Sequence, residues 1–245
     1  MNSIDKQQIF ESIEEYCEKY NIPIKNLLDI LEDQKVLPMI RGKATEYIAT
    51  VTLKKILGRN WQVQKLNLNA QTGIYDEDIS ITHSKTGFRL KVEAKNAVRG
   101  SFRVGNNRTV IKCPHFKVKC HKSRSHIKKS KTTNDRYLLG DFDLIVCNVS
   151  NAVFQGKTFS DELELLHDED AIKCLKRYYK TETDSDLIRH AYDDWRGCFP
   201  RLIAQTDKSI PRTPAIKLRD DDVWFSLREL EERLLPELER IRVGQ

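Results

Sequence analysis

Apolar residues recur first at helical and then at strand spacing along this chain. Ile9, Phe10, Ile13 and Tyr16 or Cys17 fall on one helical face, predicting a helix over residues 4 to 19. "NIPIKNLLDILED" reads as a turn and a second short helix. Pro38 opens a longer helix, about 39 to 57, on which Ile40, Ala44, Ile48, Val51 and Ile56 or Leu57 form an apolar stripe before Gly58 stops it. "WQVQKLNL" alternates with period two and predicts a strand.

The next segment, "GIYDEDISITHSKTGFRLKVEAKNA", reads as a hairpin turning at "SKTG". A turn centred between Lys85 and Thr86 sets Ile79 opposite Val92 and Ile81 opposite Leu90, giving one apolar face. On the other face the same register sets Asp78 opposite Glu93 and Asp76 opposite Lys95. Residues so opposed lie roughly 4.5–5.5 Å apart. Further on, "GDFDLIVCNV", 140 to 149, reads as a buried strand, with Asp141 and Asp143 as turn and strand-start caps. Residues 161 to 194 are acidic and helical in pattern. "VWFSLRELEERLLPELERI" predicts a C-terminal amphipathic helix, interrupted or kinked near Pro236.

Composition narrows the class. Charged residues are 32% of the chain, implying a large wetted surface. No apolar run approaches membrane-spanning length, and the N-terminus lacks a basic-then-apolar leader, so a cytoplasmic protein is expected. Six scattered cysteines then read as reduced thiols. The net charge of +6 is unevenly spread: from Ala94 to Asn134 there are twelve Lys or Arg and no acid. Phe102, Val104, Phe116 and Val118 interleave with these charges, so a folded basic surface is expected, the footprint of a polyanion site.

Carboxylates facing one another across a hairpin destabilise a plain sheet. A hard divalent cation between them reverses the sign, and Mg²⁺ favours oxygen ligands and retained waters. Lys95, on the same face as Glu93, would lie near a water or phosphate oxygen. The pattern Asp78, fourteen residues, then Glu93-Ala94-Lys95 resembles the PD-(D/E)xK nuclease motif. Gly42-x-x-x-Glu46 is similar to the first core helix of that superfamily, and the order of elements over residues 38 to 150 agrees. Glu77 stands where the family pattern has proline, and Asp76 is a second candidate acid.

The resemblance implies a mixed α/β (α+β) fold: a restriction-endonuclease-like core, its mixed central sheet flanked by helices, with helical additions at both ends. Residues 1–37 would be a helical extension, 38–150 the core and 151–245 a mainly helical part packed on it. It also implies an Mg²⁺-dependent endonuclease. Asp78, Glu93 and Glu46 would be metal ligands, and Lys95 would position or deprotonate the attacking water. Within the superfamily the chain looks most like a type II restriction enzyme, cutting double-stranded DNA to 5′-phosphate and 3′-hydroxyl ends. A homodimer and a separate DNA methyltransferase would accompany that activity. The apolar stripes of the terminal helices suit a dimer interface, but ordinary packing is the preferred reading. Competing readings are a same-fold nuclease of repair, recombination or mobile elements, and a DNA-binding protein without catalysis.

The basic stretch, 95 to 134, is expected to contact DNA through Arg99, Arg103, Arg108, Lys117, Lys119, Lys122, Arg124, Lys128 and Lys129. Within it Cys113, His115, Cys120, His121 and His126 raise a zinc reading, but their spacing does not match the usual fingers or ribbons, and zinc is not expected.

Overall fold

The computed structural model describes residues 6–66, 77–105, 111–121, 135–155, 164–219 and 223–243. The chain divides into two units, one ending at Ala44 and the other beginning at Thr45. The first unit holds α1 (Lys6–Lys19), a 3₁₀ turn (Ile24–Asn26), α2 (Leu27–Glu32) and the start of α3 (Leu37–Ile56). Cys17 is buried in it, while Ile9, Phe10, Ile13 and Tyr16 are exposed, so the stripe expected to pack faces outward.

The second unit is built on a six-stranded mixed sheet. Its strands are β1 (Trp61–Lys65), β2 (Ile79–His83), β3 (Arg89–Asn96), β5 (Leu144–Asn148), β6 (Trp195–Cys198) and β8 (Phe225–Ser226), in that spatial order. Neighbours are antiparallel except β3 and β5, which run parallel and therefore need a long crossover. The basic stretch lies in that crossover. Its strand β4 (His115–Lys117) pairs with β7 (Ala215–Lys217) in a separate two-stranded sheet.

The β2–β3 hairpin has the register that the sequence predicts, Ile79 with Val92 and Ile81 with Leu90. Gly87, at φ 68°, closes the turn, and its N–H donates to the His83 carbonyl at 2.9 Å. Asp141 and Asp143 act as expected: Asp141 accepts from the Leu138 N–H, and Asp143 accepts from the Lys91 N–H.

Strict alternation along the strands splits the core between the two sheet faces. Ile79, Ile81, Leu90, Val92, Ala94, Leu144 and Val146 share one cluster with Ala49, Leu53 and Leu57 of α3. Leu230, Leu234 and Leu238 of the C-terminal helix α6 (Leu230–Val243) join it. Ile145, Cys147 and Cys198 share the other cluster with Phe102, Phe116 and Val118, and with α4 (Glu169–Tyr179) and α5 (Asp184–Asp193) through Leu175 and Leu187.

Two elements differ from expectation. The buried side of α3 is Thr45, Glu46, Ala49, Thr50 and Leu53, whereas Ile48 and Val51 of the predicted stripe are about half exposed. The helix turns a partly polar side inward because the sheet offers polar partners there: Thr45 Oγ1 donates to Asn96 Oδ1 at 2.6 Å. The predicted C-terminal helix starts later, at Leu230, and runs through Pro236. Phe225 and Ser226 are drawn into the sheet against Gly197 and Arg196. A Cβ on Gly197 would stand 2.7 Å from the Phe225 ring, so the glycine admits that ring.

Candidate active site

Three carboxylates converge electrostatically where β2 begins. Glu46, Asp78 and Glu93 are 7%, 9% and 6% exposed, burial that a carboxylate tolerates only with partners. α3 supplies Glu46, β3 supplies Glu93, and Asp78 immediately precedes β2. The β2–β3 pairing ends at Ile79 and Val92, so Asp78 is not a paired strand residue. Its carbonyl accepts from the Leu66 N–H at 3.0 Å, and its carboxylate accepts from the Ala94 N–H at 2.9 Å. The acid is thus bound to the backbone of the Glu93-Ala94-Lys95 segment.

Each acid is handled differently. Glu46 faces Lys65 of β1, Oε2 to Nζ 3.3 Å, and Lys65 also stands 4.5 Å from the centre of the Tyr47 ring. Glu93 Oε1 is paired with the Lys95 ammonium and accepts from the Tyr137 hydroxyl at 2.7 Å. Lys95 Nζ donates to the same hydroxyl at 3.0 Å, closing a three-membered ring of partners. Among the described residues no ion pair forms on Asp78, and its electrostatics show the result. Burial, then Glu93 and Glu46, raise its pKa from 3.8 to about 8, against the opposing pull of Lys95 and the Ala94 N–H. Burial and the neighbouring carboxylates thus favour the protonated form of Asp78.

Lys95 shifts the other way from a general base. Burial pulls its ammonium down, but Glu93, Tyr137 and Asp78 outweigh burial and hold it well above the usual lysine range. Burial, then Glu93, likewise keeps the Tyr137 phenol well above its ordinary value, so it remains a neutral hydroxyl. Tyr137 and Lys65 were not found by sequence reasoning. Lys65 carried a signal: in the alternation Trp61, Val63, Lys65 it takes an apolar position, opposite Ile79. Tyr137 carried none: it lies within the crossover between β3 and β5, outside any patterned helix or strand.

The donor set is hard oxygen, which suits Mg²⁺ held by one or two carboxylates with waters completing the shell. Among the described residues no group of three or more His, Cys, Asp or Glu side chains stands as a ready-made metal cage. A cation here would rest on Asp78, Glu93 and water, displacing the Asp78 proton.

The candidate DNA contacts fall into two groups. Lys117 and Lys119 are exposed, alternating with buried Phe116, Val118 and Cys120, so the segment shows core on one side and lysine on the other. Arg103 is exposed at residue level, but its Nη1 donates to the Gly100 and Phe102 carbonyls at 2.8 and 2.6 Å. Arg99 is half-buried. Arg108, Lys122, Arg124, Lys128 and Lys129 lie outside the described residues, as do Asp76 and His126. Of the other candidate zinc ligands, His115 is buried with Nδ1 2.8 Å from the Cys113 carbonyl oxygen. The Cys120 thiol is buried and pushed up to about 12 by that burial.

No family model, curated protein or solved structure matches the chain. No helix among the described residues is long and apolar enough to cross a membrane.

Proposed function

We propose that this protein is an Mg²⁺-dependent endonuclease acting on double-stranded DNA. The observation that carries the reading is Asp78. It is buried beside Glu93 and Glu46, and burial and those carboxylates raise its pKa to about 8. A sheet built only for stability gains nothing from crowding acids in this way. A site for a divalent cation does, because the cation removes the repulsion.

Asp78 and Glu93 would hold the cation. It supplies Lewis-acid polarisation of a phosphodiester and acidifies water for attack. The protein's own groups do the rest. The Ala94 N–H orients the Asp78 carboxylate. The Lys95 ammonium, paired with Glu93, offers positive charge to a phosphate oxygen, and its raised pKa supports positioning and charge neutralisation over proton abstraction. Tyr137 fixes Glu93 and Lys95 relative to one another. Exposed Lys117 and Lys119 supply sequence-independent phosphate contacts.

The resemblance to PD-(D/E)xK nucleases narrows the reading to a type II restriction enzyme, a homodimer leaving 5′-phosphate and 3′-hydroxyl ends. Its test is incubation with unmethylated plasmid and phage DNA, with Mg²⁺ or EDTA, beside Glu93→Gln. Discrete fragments needing both Mg²⁺ and Glu93 are expected. A Mg²⁺- and Glu93-dependent smear keeps the nuclease and removes restriction. DNA that is bound but uncut in every condition removes catalysis.

A further inference from the structure

We infer that Lys65 stands in for a second cation at Glu46, so that the site takes one divalent ion rather than two. The inference rests on the nuclease reading and adds to it the metal count and the role of Glu46.

Lys65 ends β1 in register with Ile79, on the face of the sheet that packs against α3. Trp61 and Val63 precede it in that row and are apolar, so a lysine at this position must be matched by an acid. Glu46 is that acid. The Nζ–Oε2 distance is 3.3 Å, and both side chains are only 10% exposed. The Tyr47 ring, next to Glu46 on α3, holds the ammonium from a further side at 4.5 Å. The contact is therefore a fixed, desolvated pair rather than a mobile surface bridge.

Strand alternation separates this pair from the other. Glu93 lies between Val92 and Ala94, which belong to the α3-facing core, so Glu93 projects from the opposite face. Glu46 with Lys65 and Glu93 with Lys95 and Tyr137 thus flank the sheet, and Asp78 at the strand end feels both acids. With Asp78 ionised, as it would be on holding a cation, these three carboxylates and two ammonium groups carry a single net negative charge between them. One divalent ion overcomes it with one charge to spare for a phosphate. A second would have to displace Lys65 from Glu46 and would leave a large positive excess. Among the described residues no group of three or more His, Cys, Asp or Glu side chains is arranged to hold a metal ion, in keeping with Glu46 being held by lysine rather than offered to metal.

Counting Mn²⁺ bound by the full chain, by equilibrium dialysis and by electron paramagnetic resonance of free Mn²⁺, tests this directly. A merely structural ion pair does not change a metal count. The expected results are one Mn²⁺ per chain in the wild type and two in Lys65→Met. Glu46→Gln is expected to keep one Mn²⁺ with affinity within about threefold, where loss of a true ligand or its partner costs about tenfold or more. Two Mn²⁺ in the wild type, one in a folded Lys65→Met, or a tenfold loss in Glu46→Gln each overturns the inference. If Lys65→Met does not fold, the wild-type count and Glu46→Gln decide. Two bound ions together with Mg²⁺-dependent cleavage would sink the Lys65 assignment and leave the nuclease standing. Neither bound Mn²⁺ nor cleavage would remove both.

Discussion

Two buried clusters of charge sit on the same sheet and are built on opposite plans. At β6, Arg196 is 2% exposed and grips Asp194 through two bonds, Nε to Oδ1 at 2.7 Å and Nη2 to Oδ2 at 3.1 Å. Tyr178 accepts from the same guanidinium at 2.6 Å, and Tyr179 donates to Asp194 Oδ2 at 2.9 Å. One acid meets one base, and the lone pairs and protons around them are taken up. At β2 and β3, three acids meet two bases, and the surplus negative charge favours a proton on Asp78. A balanced cluster has no chemistry left to offer. An unbalanced one is held in readiness for a positive ligand, which is why the second cluster and not the first is the functional candidate.

The sharpest way to break this comparison is to remove one acid from each cluster. Glu93→Gln is expected to lower DNA cleavage by about 10³-fold or more, while the protein still folds. Asp194→Asn is expected to do the converse. It strands a buried guanidinium and costs about 3–5 kcal/mol of stability, leaving cleavage per folded molecule unchanged. Single-turnover cleavage beside a thermal melt reads both. A Glu93→Gln protein that cuts normally, or an Asp194→Asn protein that is stable and inactive, would reverse the assignment of the two clusters.

Mg²⁺ should tell the clusters apart next. Binding only to the folded state at about a hundred times Kd adds about 2.7 kcal/mol of stability. A rise in melting temperature with Mg²⁺ is expected for the wild type and for Asp194→Asn, and is expected to vanish in Asp78→Asn. Equal shifts in wild type and Asp78→Asn would place the cation elsewhere.

The proton on Asp78 gives a signed pH effect in metal-free protein. Its pKa is raised on folding from 3.8 to about 8, chiefly by burial and then by Glu93 and Glu46. Below pH 3.8 both folded and unfolded chains hold the proton. Between 3.8 and about 8 the unfolded chain releases it and the folded chain keeps it, so this group's contribution to stability falls as pH rises through that window. Denaturation at fixed pH steps is expected to show the decline in the wild type and its flattening in Asp78→Asn. Mg²⁺ affinity should move the other way and improve toward pH 8, because the ion displaces the proton. A parallel decline in both proteins would assign it to other groups.

Much of the unbalanced cluster was legible in the sequence, and the balanced one was not. The hairpin register was readable because the turn centre and the apolar alternation of Ile79, Ile81, Leu90 and Val92 agree. That register placed Asp78 near Glu93, although Asp78 has already left the strand and meets the backbone of Ala94 instead. Glu46 was readable only through its spacing from Gly42, and the apolar stripe drawn on the same helix pointed to the wrong side. Hydrophobicity marked Ile48 and Val51, but Thr45 and Glu46 turn inward because their partners, Asn96 and Lys65, come from distant strands. β6, with Arg196 and Gly197 in four residues, carries no strand pattern. Its pairing with β5 and β8 and the acid two residues before Arg196 make it a strand, and none of these is a local signal. Local rules found what local residues determine, and missed whatever depends on a long-range partner.

Tyr137 belongs to the missed class and sharpens the comparison at its smallest scale. Both clusters use tyrosine hydroxyls, but in different roles. Tyr179 donates to an acid already held by a bidentate arginine, so its hydroxyl completes a satisfied network. Tyr137 stands between partners, donating to Glu93 and accepting from Lys95, and fixes the angle at which the ammonium meets the acid. Tyr137→Phe removes that brace while the Lys95–Glu93 pair survives. The expected loss is about tenfold in cleavage rate at saturating DNA, near the 1.4 kcal/mol equivalent and the usual worth of one such bond. DNA affinity and melting temperature should stay close to wild type. Tyr179→Phe should show the reverse pattern, a small loss of stability and an unchanged rate. Single-turnover kinetics on both variants decide the point. Equal rates in wild type and Tyr137→Phe would mean that the hydroxyl only fills space, and that the acid–lysine pair is oriented by the sheet alone.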